Sequence, residues 1–246
     1  MTISTFDPGF RFGSAINPPL PDRIPVGDVT LVSLGAVHNA TLATVAACDA
    51  EGCLDVVEPQ VLNGTDLNRY VLGFPADLGR AKMELVWNAG ATSLGFTAYG
   101  VEYQEFRESA MLPLKIALVG VDNHPARWAV QGDWPEVLLC AGTHWDTVQI
   151  SRHAPFGPAC VGCVYPEGPE IGRAPNERIE PTVSFVSAAA GILLAAELIK
   201  EVVPAFRAYR LDNLLYLSLV APSTLQLRQA RRSAACPCHC DQRVTA

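Results

Sequence analysis

Apolar and polar positions alternate along the chain in blocks that predict strands separated by helices. Short, continuously apolar runs are typical of strands covered on both faces, whereas longer runs with helical periodicity are typical of helices packed on a core. The predicted strands cover residues 29–34, 53–57, 96–106, 115–121, 137–140, 147–152 and 214–220. The predicted helices cover residues 40–50, 78–89, 125–131 and 184–203. This order predicts an α/β fold in which helices flank a mostly parallel sheet.

The chain reads as one domain with an arm before it. Residues 1–27 are rich in proline and glycine and have little periodicity, so we expect an N-terminal arm there. Residues 28–246 show no internal repeat and no clear linker, which predicts a single domain. Residues 164–181 are rich in proline, glycine and glutamate and predict a long loop, a feature that is often functional.

Composition and charge exclude several classes of protein. Hydrophobic residues make up 49% of the chain and charged residues 17%, which is enough apolar material for a large core. The net charge of −7 argues against nucleic-acid binding, which needs clustered basic residues. The most apolar stretch, 185–203, is interrupted by Ser187, Glu197 and Lys200, so it is not expected to span a membrane. Without a recognisable secretory signal, we expect a cytoplasmic protein whose cysteines are reduced or bound to metal.

The first strand runs into a turn where a nucleotide phosphate could bind. Free backbone N–H groups and the helix dipole converge at such turns, and the usual signature carries three glycines. Here Gly35 is present, while Ser33 and His38 stand at the other two glycine positions. Taken alone, this segment is better explained as an ordinary strand-to-helix connection.

Polar residues further along the chain suit a nucleotide. Glu58 follows the second strand, where a carboxylate can bind ribose hydroxyls. Asn68, Arg69 and Lys82 supply an amide and two cations, which suit polyphosphate. The alternative is that the two cations are solvated surface side chains.

Asp122 and Asn123 follow an apolar strand and could lie at the same edge of the sheet. A carboxylate at that point is a suitable ligand for Mg²⁺, which takes one or two carboxylates together with phosphate oxygens. The alternative is that Asp122 and Asn123 form a strand-end turn with an Asx cap.

Three blocks of sequence occur together in the order of one enzyme family. Residues 58–69 read Glu-Pro-Gln-Val-Leu-Asn-Gly-Thr-Asp-Leu-Asn-Arg and resemble D-x-D-x-V-x-x-S-N-L-N-R. Residues 79–82 resemble G-K-x-K, and residues 121–127 resemble T-D-N-x-x-x-R. With the cysteine pair at 160–163, the chain from about residue 28 to 240 resembles the ubiquitin-activating-type adenylating enzymes (ThiF/MoeB/HesA-like).

The resemblance implies ATP-dependent adenylation of the C-terminal carboxylate of a small ubiquitin-like or sulfur-carrier protein, with release of pyrophosphate. It implies that Arg69 and Lys82 bind phosphates and that Asp122 holds Mg²⁺, these three being the catalytic residues. The residues expected to contact the nucleotide are Gly35, Glu58, Asn68, Arg69, Lys82, Asp122 and Asn123. Members of this family pair through this domain, so a homodimer or a heterodimer with a relative is expected, and helix 184–203 offers apolar surface for it.

Four positions depart from the family pattern and keep a second interpretation open. Ser33 and His38 replace glycines, Gln60 stands at the second aspartate, and Asp66 replaces an asparagine. A non-catalytic relative that binds a ubiquitin-like protein, or that pairs with an active subunit, fits these changes. A nicotinamide dehydrogenase is a more distant alternative, because it would use Glu58 but leave Lys82 and the cysteine pairs without a role.

Five of the eight cysteines form two clusters, which predicts a zinc site. Zinc takes four thiolate or imidazole ligands in tetrahedral geometry. We expect Cys160 and Cys163 to bind it with two residues of the tail cluster, and His239 is a weaker candidate there. The tail cluster consists of Cys236, Cys238 and Cys240. This zinc would join the loop after strand 147–152 to the C-terminal tail. A redox C-x-x-C pair is the alternative, but it leaves the tail cluster unexplained.

A thioester step on the chain's own thiol is not expected. Residues 164–235 contain no cysteine, and Cys48, Cys53 and Cys140 fall on predicted core elements. A spare tail cysteine is the one loose candidate. We therefore expect adenylation without a conventional thioester, as in the sulfur-carrier branch of the family, or a thiol supplied by a partner.

Overall fold

The computed structural model describes residues 21–90, 93–166, 183–219, 224–234 and 236–240. The strands are β1 (Ile24–Val32), β2 (Ala50–Val57), β3 (Leu94–Tyr99), β4 (Ile116–Val119), β5 (Val137–His144), β6 (Thr147–His153), β7 (Leu214–Ser218) and β8 (Thr224–Arg228). The α-helices are α1 (Ala36–Ala47), α2 (Tyr103–Ser109), α3 (His124–Gly132), α4 (Val161–Val164) and α5 (Ser184–Val202). Short 3-10 segments cover Pro75–Asp77, Lys82–Ala89 and Pro204–Tyr209. None of the described helices is long and apolar enough to cross a membrane.

The strands form one mixed sheet in the order β3-β2-β1-β4-β5-β6-β7-β8. Strands β1 to β5 pair in parallel, and β6, β7 and β8 extend the sheet by antiparallel pairing. The predicted Rossmann-like, mostly parallel sheet flanked by helices is therefore confirmed. The chain leaves β1 toward β2 on one side and returns to β4 on the other, so the strand order reverses between β1 and β4. Open α/β sheets bind ligands at the carboxyl ends of the strands at such a point.

Helix α5 packs across α1 at very short distance. A Cβ atom on Gly191 would lie 2.5 Å from the Ala40 Cβ and 2.5 Å from the Val37 carbonyl oxygen. The Thr41 hydroxyl donates to the Gly191 carbonyl oxygen at 3.1 Å. Only glycine allows this approach of two backbones.

The apolar face of α5 lies mainly inside its own chain, against α1, β5 and β6. Val186, Ala190, Leu194 and Leu198 are buried, and Phe185 and Ile192 are exposed. Most of the apolar surface that the sequence offered for pairing with a second chain is therefore already covered.

Strand β1 is longer than its sequence predicts. It begins at Ile24 and pairs there with Ala50, so residues 24–27, which the sequence assigned to the arm, belong to the sheet. An irregularity in the pairing between Val26 and Val29, with Asp28 in the left-handed region at φ 54°, interrupts the apolar alternation. Residues 1–20, and most of the loop predicted at 164–181, lie outside the described residues.

Two predicted elements are wrong. The helix predicted at 78–89 is 3-10 structure from Lys82 onward, because residues 79–82 pair instead with residues 60–62. This pairing includes hydrogen bonds from the Gly79 N–H to the Leu62 carbonyl oxygen at 2.9 Å and from the Lys82 N–H to the Gln60 carbonyl oxygen at 2.8 Å. The strand predicted at 96–106 ends at Tyr99 and is followed by α2, in which Tyr103 and Phe106 are buried at helical spacing.

Candidate functional site

The turn between β1 and α1 keeps a glycine-like backbone although it begins with serine. Ser33 has φ 79°, in the left-handed region that glycine adopts most easily. Its Oγ accepts a hydrogen bond from the Gly35 N–H at 3.0 Å, which stabilises the turn locally. Serine at the first glycine position therefore keeps the backbone conformation that a glycine would adopt in this turn.

His38 occupies the space that the third glycine would leave empty. Its side chain is fully buried, and a Cβ atom on Gly120, directly after β4, would lie 3.1 Å from the His38 Nε2. The Nδ1 atom lies 2.7 Å from the Ser33 carbonyl oxygen and so carries the proton. Burial lowers the pKa of His38 to about 4, and the ring is neutral at physiological pH. His38 acts as packing between α1 and β4.

Glu58 ties the end of β2 to the β1–α1 turn. Its buried carboxylate accepts the Leu34 N–H at 2.7 Å and the Gln60 N–H at 2.8 Å. Each carboxylate oxygen has a further lone pair, so Glu58 can still accept a hydrogen bond from a ribose hydroxyl. Glu58 directly follows β2, as the sequence predicts, and the structure also places it beside the β1–α1 turn.

Lys82 is buried and already has partners. Its Nζ lies 3.1 Å from the Asp66 Oδ2 and donates to the Gln60 Oε1 at 2.9 Å. The Nζ also lies 5.4 Å from the centre of the Tyr70 ring. Two of the departures from the family pattern, Gln60 and Asp66, thus contact the lysine that the resemblance assigns to phosphate. Sequence reasoning named these two substitutions without assigning them a role at the site.

Arg69 lies on the other side of the same aspartate. One guanidinium nitrogen is 3.4 Å from the Asp66 Oδ1, and another donates to the Thr65 carbonyl oxygen at 3.1 Å and to the Asn68 Oδ1 at 3.3 Å. The structure therefore brings Arg69 and Lys82 together around Asp66, with Asn68 in contact with Arg69.

Asp122 and Asn123 lie at the same edge of the sheet as the turn, because Val32 at the end of β1 pairs with Val119 at the end of β4. Asn123 is the N-cap of α3 and its Oδ1 accepts the Ala126 N–H at 2.8 Å, so the capping explanation is correct for this residue. The Asp122 carboxylate is exposed and receives a contact from the Asn123 Nδ2 at 3.5 Å. It is free to take a cation at this edge.

A buried arginine supports the segment that carries Asp122. Arg127 donates to the Val121 carbonyl oxygen at 2.5 Å, and its guanidinium lies 4.6 Å from the centre of the Tyr165 ring. The Trp128 Nε1 donates to the Tyr165 carbonyl oxygen at 2.8 Å. Helix α3 is thereby held against the segment that follows α4.

Four cysteine sulfurs meet at α4 and the tail. The Sγ atoms of Cys160, Cys163, Cys236 and Cys240 all lie within 4.8 Å of one another. Three measured separations are 3.8 Å (Cys160–Cys163), 3.3 Å (Cys160–Cys236) and 3.3 Å (Cys163–Cys240). Tetrahedral zinc with Zn–S bonds of about 2.3 Å requires sulfurs roughly 3.8 Å apart, so this group could hold zinc after small shifts of the sulfurs. Cys238, which was also predicted as a candidate ligand, is not in this group.

Two buried side chains, His153 and Gln131, connect the segment around Cys160 to the core. The His153 ring lies 2.9 Å from the Ala159 carbonyl oxygen and 2.9 Å from the Ser151 Oγ, and burial lowers its pKa to about 4. The Gln131 side chain in α3 accepts the Val161 N–H at 3.0 Å. These contacts fix α4, whose N-cap is the first ligand candidate, Cys160.

The remaining thiols are placed differently from the sequence prediction. Cys140 is buried in β5, as expected, and burial raises the pKa of its thiol. Cys48 and Cys53 are exposed, so their assignment to the core is wrong. Cys48 follows the last residue of α1 and Cys53 lies in the first half of β2, and both are at the edge of the sheet opposite Glu58 and Asp122. Neither is placed to receive a group activated at the candidate site.

Comparison with known proteins identifies the fold. The structure of E. coli MccB with ATP superposes with a TM-score of 0.68 at 17% identity, over 85% of this chain and 65% of MccB. A complex of E. coli MccB with MccA-N7isoASN gives a TM-score of 0.70 at 16% identity, over 85% of this chain and 66% of MccB. This chain has the MccB fold. The structure of PaaA gives a TM-score of 0.63 at 10% identity, over 81% of this chain and 72% of PaaA.

Sequence comparison adds one relative. An uncharacterized protein, y4jF, of Sinorhizobium fredii (strain NBRC 101917 / NGR234) is 32% identical over 147 residues, which is 58% of this chain and 28% of that protein. No protein-family model matches the chain. The chain thus spans just under two thirds of MccB in the ATP complex and less than a third of y4jF.

Proposed function

We propose that this protein uses ATP to adenylate the C-terminal carboxylate of a protein or peptide. One observation carries the proposal: at the carboxyl ends of the parallel strands, contacts run from the β1–α1 turn through Glu58 and Gln60 to buried Lys82. The fold is that of MccB, which has been solved with ATP and with MccA.

The reaction needs positioning and charge stabilisation rather than a protein nucleophile. A carboxylate oxygen of the substrate forms a bond to the α-phosphorus of ATP, the bond to the bridging oxygen breaks, and pyrophosphate leaves. Arg69 and Lys82 would offset the charge on the phosphates, and Glu58 would bind the ribose hydroxyls. Asp122, Asn68 and the turn at Gly35 complete the proposed contacts, with Asp122 as the ligand of Mg²⁺. When bound, Mg²⁺ would supply further neutralisation of phosphate charge.

The substrate that the sequence resemblance favours is a small ubiquitin-like or sulfur-carrier protein. A protein or peptide of the MccA kind is the next class to test, since some of the MccB structures contain MccA. The Cys160–Cys163–Cys236–Cys240 group would bind zinc as a structural site, because its four sulfurs leave no open position for substrate. A homodimer, or a heterodimer with a related chain, remains part of the proposal.

A second candidate function is a non-catalytic module that binds such a carrier or pairs with an active subunit. The observation that favours it is that Lys82 and Arg69 are already paired with a carboxylate of the chain itself. The buried Asp66 carboxylate already lies 3.1 Å from the Lys82 Nζ and 3.4 Å from Arg69.

Exchange between ATP and labelled pyrophosphate, measured with candidate carriers, separates the two functions. We expect Asp122→Ala to lower exchange by roughly 10²–10³-fold, the usual cost of losing one preorganised electrostatic group. The exposed carboxylate makes little contribution to the fold, so circular dichroism should be unchanged. Asp212→Ala is the matched control, because Asp212 is exposed before β7 at the opposite edge of the sheet.

Each failure has a separate meaning. If the wild type shows no exchange with any candidate carrier, the non-catalytic module is the better description. If Asp122→Ala retains near-normal exchange, the assignment of the magnesium ligand is wrong while the adenylation activity stands.

A further inference from the structure

A single buried carboxylate is shared by the two cations of the candidate site. The Asp66 Oδ2 lies 3.1 Å from the Lys82 Nζ, and its Oδ1 lies 3.4 Å from a guanidinium nitrogen of Arg69. The Asp66 and Lys82 side chains are only 5% and 6% exposed. We propose that Asp66 is an internal competitor for phosphate, which occupies these cations and thereby determines how strongly the site binds polyphosphate. This inference rests on the proposed function of the site.

The local turn around Asp66 does not require its negative charge. The Asp66 Oδ2 accepts the Asn63 N–H at 3.2 Å, and the Asp66 N–H donates to the Asn63 carbonyl oxygen at 3.0 Å. An uncharged side chain with an acceptor oxygen could make the same turn. The charge therefore serves the contacts with Lys82 and Arg69.

Lys82 can bind a phosphate only by exchanging a present partner or by using its one remaining donor beside Asp66. Its ammonium group has three donors, one directed to Asp66 and one to Gln60, and its side chain also lies against the Tyr70 ring. A phosphate at Lys82 and Arg69 would either displace the Asp66 carboxylate or lie beside it. In both cases the negative charge of Asp66 opposes binding, and burial limits the screening of this repulsion by salt.

The proposal predicts that removing this charge strengthens binding in proportion to the charge on the ligand. Isothermal titration of the full chain would compare wild type with Asp66→Asn, using tripolyphosphate, ATP, AMP and adenosine as probes. We expect dissociation constants for ATP and tripolyphosphate to fall by about tenfold or more, since one unit charge a few ångströms away has an effect of at least this order at a partly buried site. AMP should gain less, and adenosine should be unchanged.

Two matched variants separate charge from general disturbance. Asp77→Asn removes the same charge from a similarly buried aspartate, whose partner Arg80 lies 2.6 Å away at the same spacing along the chain, and it should leave nucleotide affinity unchanged. Asp66→Glu keeps the charge and should remain a weak binder of polyphosphate. If Asp66→Asn does not fold, Asp66→Ser removes the charge and retains an acceptor for the Asn63 N–H.

The outcomes are distinguishable from failure of the proposed function. If wild type and Asp66→Asn both bind ATP and tripolyphosphate with equal affinity, or if the variant binds more weakly, the competitor role is refuted and ATP binding stands. An equal gain for adenosine would also overturn it, because adenosine carries no phosphate charge. If neither protein binds ATP or tripolyphosphate, both the competitor role and the proposed function fail.

Discussion

Replacing Gly162 with alanine tests whether the cysteine cluster is a metal site. Gly162 lies in α4 between Cys160 and Cys163, and the tail packs directly against it. A Cβ atom at this position would lie 2.8 Å from the Cys238 Sγ, 2.9 Å from the Cys236 Sγ and 3.1 Å from the Pro237 Cδ. The substitution changes no ligand, so its effect on metal binding must act through geometry.

The expected magnitude follows from these distances. Non-bonded heavy atoms are normally about 3.5–4.0 Å apart, so the tail would have to move away by roughly 1 Å. Metal–ligand distances tolerate only about 0.2 Å, and the Cys236 sulfur could not keep its place in the tetrahedron. We expect a loss of zinc affinity of roughly 10–100-fold, the size seen when residues that support metal ligands are replaced.

Elemental analysis of purified protein and competition with a chromophoric chelator measure this effect. The wild type should carry about one zinc per chain, Gly162→Ala should release it at lower chelator concentration, and Cys163→Ser should give insoluble or chelator-sensitive protein. Gly132→Ala is the control, because a Cβ atom on Gly132 meets no atom within 4 Å. Wild-type zinc content and chelator resistance in Gly162→Ala would refute the geometric reasoning, and folded wild type without zinc would refute the metal assignment itself.

Three further predictions concern stability and assembly. The pKa values of buried His38 and His153 are lowered to about 4, so the unfolded chain binds more protons below pH 6.5 and stability is lost as the pH falls from 6.5 toward 4. Each neutral imidazole should lower the free energy of unfolding by roughly 2 kcal/mol at pH 5. Between pH 7 and pH 5, measured by urea unfolding, His153→Gln should therefore lose less stability than the wild type. An equal loss would show that the buried imidazole is not the cause. Gly191→Ala would place a Cβ atom 2.5 Å from the Val37 carbonyl oxygen, so it should force α1 and α5 apart and lower the free energy of unfolding by about 1–3 kcal/mol. Gly64→Ala is its control, because a Cβ atom there meets no atom within 4 Å. Equal urea midpoints for Gly191→Ala and the wild type would count against the close approach of the two helices. The family resemblance predicts a dimeric mass in light scattering, through surface other than the covered face of α5, and a monomeric mass at tens of micromolar would argue against self-pairing.

Local patterns in the sequence were sufficient to predict the central architecture and the edge that carries the candidate site. Apolar runs separated by helical segments predicted β1, β2, β4 and β5, because a strand buried between two helical layers needs apolar residues on both faces. Glu58 and Asp122 each follow such a strand, and the carboxyl ends of parallel strands meet at one edge, so their placement needed no coordinates. The spacing of the cysteines likewise predicted that the two clusters lie together in the fold, because zinc requires four ligands.

Other features were decided only by contacts between distant segments. Periodicity at 78–89 indicated a helix, but pairing of residues 79–82 with 60–62 replaced it and placed Lys82 beside Gln60. Which tail cysteines join Cys160 and Cys163 depended on how the tail turns around Gly162.

The ion-pair partners and protonation of the side chains at the site were also determined by the tertiary structure. Sequence marked Asp66 and His38 as departures from a family pattern, and the fold made the first a partner of two cations and the second a neutral packing residue. Periodicity reports the backbone conformation of a segment and the face that it buries. The partners of a side chain depend on distances between segments that lie tens of residues apart, and these distances exist only in the folded chain.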